Sequence, residues 1–173
     1  MTFYFFYYII ILGGNMKKKR VLFISSTGGH LSELLKLKKC FKNYDYYIVT
    51  EKTKSNLNLK KSYNKRVHFL VYGTKHYPFT YIFKGLYNIF KTIVLYFKIH
   101  PDYIITTGAH TAGPMCILGR LFGSRVIFIE TFANIETKTL TGKLVYKFAN
   151  IFVVQWNTML KLYPKAVCWG WIF

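Results

Sequence analysis

Short apolar runs recur along the chain at 21–25, 46–49, 67–71, 103–106, 126–129 and 151–154, each closed by small or polar residues. Runs without polar alternation are the pattern of strands buried on both faces. Helical spacing fills the gaps. After His30, Leu31, Leu34, Leu35 and Leu37 make one apolar face with Lys36, Lys38, Lys39 and Lys42 largely outside it. Further helices are predicted near 112–122, 139–149 and 158–162. Strands alternating with helices over the whole length predict an α/β fold, a doubly wound parallel sheet with right-handed crossovers. Between the second and third strands, Lys52, Lys54, Lys60, Lys61, Lys65 and Arg66 mark a polar loop expected to be mobile.

Segment 79–99 has a different pattern. It predicts one long helix, ended at His100-Pro101 because a residue before proline is pushed off helical angles. Lys84, Lys91 and Lys98 recur every seven residues and share a narrow polar stripe with Asn88, while aromatic and aliphatic residues cover most of the circumference. One sheet face cannot cover so wide an arc. The excess meets another element, a partner chain or lipid, the last with Lys84, Phe90, Lys91, Phe97 and Lys98 in contact with the membrane; the alternative is a core helix whose lysines reach outward.

Composition narrows the partners. The chain has 25 Lys and Arg against 6 Asp and Glu, a net charge of +19, with 20% aromatic residues. Disorder is excluded and an anionic partner is expected. Mean hydropathy of +0.18 favours an anionic membrane surface over nucleic acid as that partner. A nucleic-acid binder would show steep loss of binding with salt, and no nucleic-acid partner is expected. With 173 residues, the chain is one domain's worth, a single unit over 17–173, short of the two domains of a complete nucleotide-sugar transferase. Segment 1–15 is apolar, followed by Met16 and a basic cluster. It is too short to span, and reads either as a membrane-dipping anchor or as residues upstream of a true start at Met16. Cys40, Cys116 and Cys168 are widely spaced, so reduced, buried thiols are expected, with neither metal nor cofactor.

In doubly wound sheets ligands sit beyond the carboxyl ends of the strands. Three loops there carry candidate chemistry. Ser26, Thr27, Gly28, Gly29 and His30 turn the first strand into a helix whose N-terminal amides suit phosphate, although neither the dinucleotide glycine spacing nor a Walker lysine is present. Gly108, His110, Thr111 and Gly113 form a second small-residue turn, and Glu130 opens a third loop. His30 and His110 both fall on this edge, suited to phosphate contact or proton transfer. A tight turn without ligand is the alternative. So is a free-standing nucleotide-binding protein using Glu51 as its ribose acid.

These three motifs, 21–31, 106–114 and 129–133, resemble the family of capsular and exopolysaccharide glycosyltransferase accessory subunits. That family is similar to the membrane-anchoring subunit of the eukaryotic two-chain enzyme adding N-acetylglucosamine to its dolichol-linked acceptor. More distantly, the loops look like those of the acceptor domain of the lipid II-forming transferase. The resemblance implies a Rossmann-like, N-terminal, acceptor-side half of a GT-B glycosyltransferase, whose catalytic donor-binding subunit is a separate chain. A polyprenyl-diphosphate-linked acceptor and the cytoplasmic face of the cell membrane follow from it. On this resemblance His30 is the catalytic candidate, Glu130 contacts acceptor sugar, and the tail residues Trp169, Trp171, Ile172 and Phe173 contact the partner.

Overall fold

The computed structural model describes residues 18–73 and 78–172, so the expected anchor at 1–15 and the terminal Phe173 lie outside the described residues. Its strands are β1 (Arg20–Ser25), β2 (Asp45–Lys52), β3 (Val67–Val71), β4 (Tyr103–Gly108), β5 (Arg125–Ile129), β6 (Ile151–Val154) and β7 (Val167–Cys168). The helices are α1 (Gly29–Lys36), α2 (Lys38–Phe41), α3 (Leu59–Tyr63), α4 (Pro78–Ile99), α5 (Ala112–Leu121) and α6 (Leu140–Val145). All strand pairs are parallel, in the order β3-β2-β1-β4-β5-β6-β7. The doubly wound α/β fold predicted from the apolar runs is the fold observed.

Pleating explains why those runs lack polar alternation. In β1, Val21 and Phe23 pack on Leu34, Leu37 and Phe41 of the α1–α2 side. Leu22 and Ile24 point the other way, onto Leu95 and Ile99 of α4 and Met115 and Cys116 of α5. Strand order reverses between β1 and β4, and the crevice beyond their carboxyl ends is where such a sheet leaves room for a ligand.

Four features depart from the sequence pattern. The helix predicted from His30 stops at Lys36 and resumes as α2 beyond Leu37, whose ψ of 3° breaks the helical run. The polar stretch expected to be mobile is folded: Asn56 accepts from Thr53 N–H at 3.0 Å and donates to the Glu51 carbonyl at 2.7 Å, while Arg66 pairs with Asp45 at 2.7 Å. Strand β7 is two residues long, too short for any periodicity to reveal. The helix predicted over 139–149 is confined to the six residues of α6.

The rotation of helix α4 is set by its contact with β3. Asn88 accepts from Val71 N–H and donates to Val71 carbonyl, each at 2.8 Å, satisfying the outer edge of β3. This rotates the polar stripe toward the sheet, leaving Lys84 and Lys91 half-buried and Lys98 exposed. The aromatic face turns outward: Phe79 is 79% exposed, Phe83 71% and Phe90 64%. Among the residues of α4 whose side chains are described, only Thr92, Leu95, Tyr96 and Ile99 are buried, so a core helix with outward lysines is not what forms. Phe97 continues the apolar face onto Phe122 past the end of α5, with ring centroids 5.0 Å apart. No described helix is long and apolar enough to cross a membrane.

Cys40 and Cys116 are buried and unpaired, and burial pushes both thiols up to about 12, so they behave as small apolar core residues.

Candidate functional site

At the end of β1 the chain turns through Ser26 and Thr27 to Gly28, whose φ of 78° and ψ of −137° lie where only glycine is unstrained. A Cβ added at Gly28 or Gly29 would meet nothing within 4 Å, so this backbone borders open space at the N-terminus of α1. β4 ends opposite at Gly108, also at positive φ, where a Cβ would stand 3.5 Å from His30 Cε1. The two turns are tied together: Ser26 N–H donates to the Gly108 carbonyl at 3.1 Å, and Thr107 Oγ1 donates to the His30 carbonyl at 2.7 Å.

His30 Nδ1 lies 2.8 Å from the Thr107 carbonyl. A carbonyl only accepts, so Nδ1 carries the proton and Nε2 of the neutral ring keeps its lone pair. The side chain is 26% exposed, held on one nitrogen and open on the other. That is the arrangement a general base requires.

Three of the chain's six carboxylates lie on this edge, and each braces a loop. Glu33 Oε1 accepts from Thr131 Oγ1 at 2.8 Å and from Phe132 N–H at 3.0 Å, joining α1 to the loop after β5. Its Oε2 is buried without a hydrogen-bond partner, 3.8 Å from His30 Nδ1. Glu51, 2% exposed, accepts from Thr111 Oγ1 at 2.8 Å and stands 3.3 Å from His110 Nε2. The acid considered for a ribose is therefore already engaged within the protein. Glu130, also 2% exposed, accepts from Thr131 N–H, Thr139 Oγ1 and Tyr163 O–H at 3.0–3.1 Å. In this structure it anchors the start of α6, and no face of its carboxylate is left for a sugar.

Gly28, Gly29 and His110 are exposed and His30 and Thr27 half-buried. Thr27 Oγ1 is 3.3 Å from Thr53 Oγ1. Ser26, Gly108, Thr111 and Gly113 are buried; a Cβ at Gly113 would meet Leu144 Cδ2 at 3.8 Å, an ordinary contact, so packing against α6 does not require glycine there. In the tail, Trp171 is 63% exposed and packs edge-on against Phe132 and Trp156, at 5.5 and 5.8 Å. Trp169 is half-buried. Ile172 corrects the expectation for its position: it is 6% exposed within the core, its N–H donating to Gln155 Oε1, and has no surface to offer a partner. Glu33 and Tyr163 were not legible as site residues. For Glu33 a signal existed, since position i+3 from His30 shares its helix face. Among the described residues, no group of three or more His, Cys, Asp or Glu side chains could hold a metal.

Burial pushes the Glu130 carboxyl above its ordinary 4.5, against hydrogen bonds from Thr131, Tyr163 and Thr139 that lower it. The native state thus holds this proton more tightly than the unfolded chain. Its contribution to stability is whole below the ordinary value and is lost as pH rises from there through the native value. Glu130→Gln, neutral throughout, is expected to flatten that loss in urea midpoints measured from about pH 4 to pH 8. Parallel slopes for the two proteins would remove the carboxyl from the account.

Fold and crevice together define a Rossmann-like half of the GT-B architecture. MurG of Acinetobacter baumannii superimposes with a TM-score of 0.65 at 19% identity, over 81% of this chain and 42% of that one. A UDP-GlcNAc 2-epimerase of Methanocaldococcus jannaschii follows at 0.64 and 12%, over 86% of this chain and 45% of its own. The chain thus spans less than half the length of these solved proteins. By sequence, the family described as "Oligosaccharide biosynthesis protein Alg14 like" matches residues 21–172, and the chain belongs to it. The UDP-N-acetylglucosamine transferase subunit ALG14 of Rattus norvegicus is 27% identical, with 87% of this chain and 81% of the relative covered. Its Homo sapiens counterpart is 25% identical over the same shares.

Proposed function

We propose that the chain is the accessory, acceptor-binding subunit of a two-chain glycosyltransferase that moves a sugar from a UDP-sugar to a polyprenyl-diphosphate-linked glycan at the cytoplasmic membrane face. The observation that carries the reading is the crevice between β1 and β4. There an open glycine turn at a helix N-terminus borders a histidine whose Nδ1 is fixed and whose Nε2 is free. The amides of Gly28, Gly29 and His30 receive diphosphate. His30 Nε2 takes the proton of the acceptor hydroxyl as its oxygen attacks the anomeric carbon and UDP departs. His110 adds a second polar contact. Glu33, Glu51 and Glu130 hold the three loops in place.

The relatives' description as transferase subunits supports the division of labour, in which a separate catalytic chain brings the donor. Trp171, with Phe132 and Trp156 behind it, is the exposed aromatic group proposed to meet that chain, together with Trp169 and the terminal Phe173. The outer face of α4, with Phe90, Phe97 and the exposed Lys98, meets anionic lipid, with the half-buried Lys84 and Lys91 at its margin. A capsular or exopolysaccharide setting is proposed with this reading and is tested by loss of surface polysaccharide on deletion. Purified alone, the chain is expected to show no more than trace transfer, and co-expression with the catalytic partner to restore it. Full transfer by the lone chain would end the subunit assignment.

A further inference from the structure

A groove of about 300 Å³ lies between the first half of α4 and the start of α5. That is the small end of the range for ligand pockets. Tyr81, Leu86 and Ile89 wall it on one side and Pro114 on the other, with Lys84 and His110 among its polar groups. Glu51 also lines it, but is 2% exposed and covered by Thr111 and His110.

Gly85 decides what the groove is for. Glycine within a helix destabilises it relative to alanine, and is kept where backbone angles or close packing demand it. Neither applies at this position: its φ is not positive, and a Cβ would meet nothing within 4 Å. What the missing side chain leaves is groove volume. Leu86 and Ile89 line the groove and are also 59% and 44% exposed on the outer face of α4. An apolar chain can therefore run from the groove onto that face without crossing polar surface, while its anionic head stays beside Lys84 and His110 on the crevice side.

The geometry points to a seat for the first isoprene units of the acceptor lipid, a hydrocarbon tail bearing a diphosphate. This rests on the acceptor reading above. The occupant is the acceptor's tail and not a bilayer phospholipid, because the cationic end of the groove shares His110 with the loop that borders the phosphate crevice.

The test titrates the full chain with farnesyl diphosphate, dodecyl phosphate and inorganic pyrophosphate. Wild type is expected to bind farnesyl diphosphate at least about tenfold more tightly than pyrophosphate, the apolar tail supplying the difference. Gly85→Leu, which adds a side chain where the backbone already has room, is expected to erase that advantage. Pyrophosphate affinity, vesicle flotation and melting temperature should stay at wild-type values or above. Equal wild-type affinities for the two diphosphates, or an unaltered preference in Gly85→Leu, would overturn the groove's assignment while leaving transfer by the two-chain enzyme to be judged separately. Tighter binding of dodecyl phosphate than of farnesyl diphosphate would overturn the prenyl assignment in favour of an acyl chain.

Discussion

His30→Ala in the two-chain enzyme should lower sugar transfer by about 10²- to 10⁴-fold, the range for loss of a positioned general base. The ring is held at Nδ1 by the Thr107 carbonyl at 2.8 Å, so it presents Nε2 without reorganisation. The fold loses little. One hydrogen bond disappears, worth about 0.5–1.5 kcal/mol, and the remaining ties between the β1 and β4 turns persist. Co-purification with the catalytic partner should be unchanged. His30→Gln separates proton transfer from bracing, because its amide can still donate to the Thr107 carbonyl but cannot take up a proton at neutral pH. Gln is expected to be as inactive as Ala, with the loss in kcat and a near-normal KM. Recovery of activity in the Gln variant would make His30 a positioning residue of the turn.

Phe83→Ser combined with Phe90→Ser should release the protein from anionic vesicles. The two side chains are 71% and 64% exposed, so in water they add little to the fold and the urea midpoint should hold. On a bilayer, burying each Phe contributes about 1.5–3 kcal/mol, so the pair accounts for about 10²- to 10⁴-fold in partitioning. Replacing Lys84, Lys91 and Lys98 by Gln should cost less, about 1 kcal/mol each, and that part should vanish as salt is raised. Flotation by the double variant at the wild-type level, together with loss of the catalytic partner, would reassign the face as a protein interface.

The α4 face also shows where sequence pattern stops being informative. Its periodicity displays a stripe of Lys84, Asn88 and Lys91 against a wide apolar arc, but periodicity carries no sign. The same stripe serves a helix packed with either side inward. Asn88 sets the rotation by satisfying Val71 at the edge of β3, a contact between residues 17 positions apart. Glu130 is a similar case. Its place after a strand marks it as a site candidate, whereas Thr139 and Tyr163, which take up its carboxylate, come from the N-cap of α6 and the segment before β7. The tail reads as uniformly apolar, yet Ile172 enters the core and Trp171 stays outside. Their opposite fates depend on Gln155 and Phe132, on other strands' loops.

What the sequence alone determined is the parallel α/β sheet, because strands buried on both faces need unbroken apolar runs and the connecting helices need one apolar side. It marked too the turns after β1 and β4 as the candidate site, because glycine at Gly28 and Gly108 answers a local backbone requirement. Only the tertiary structure decided which carboxylates brace those turns, which nitrogen of His30 is free, and which side of α4 meets the surroundings. Each of these is a pairing of groups far apart in the chain, and long-range hydrogen bonds leave no periodic trace in the residues that make them.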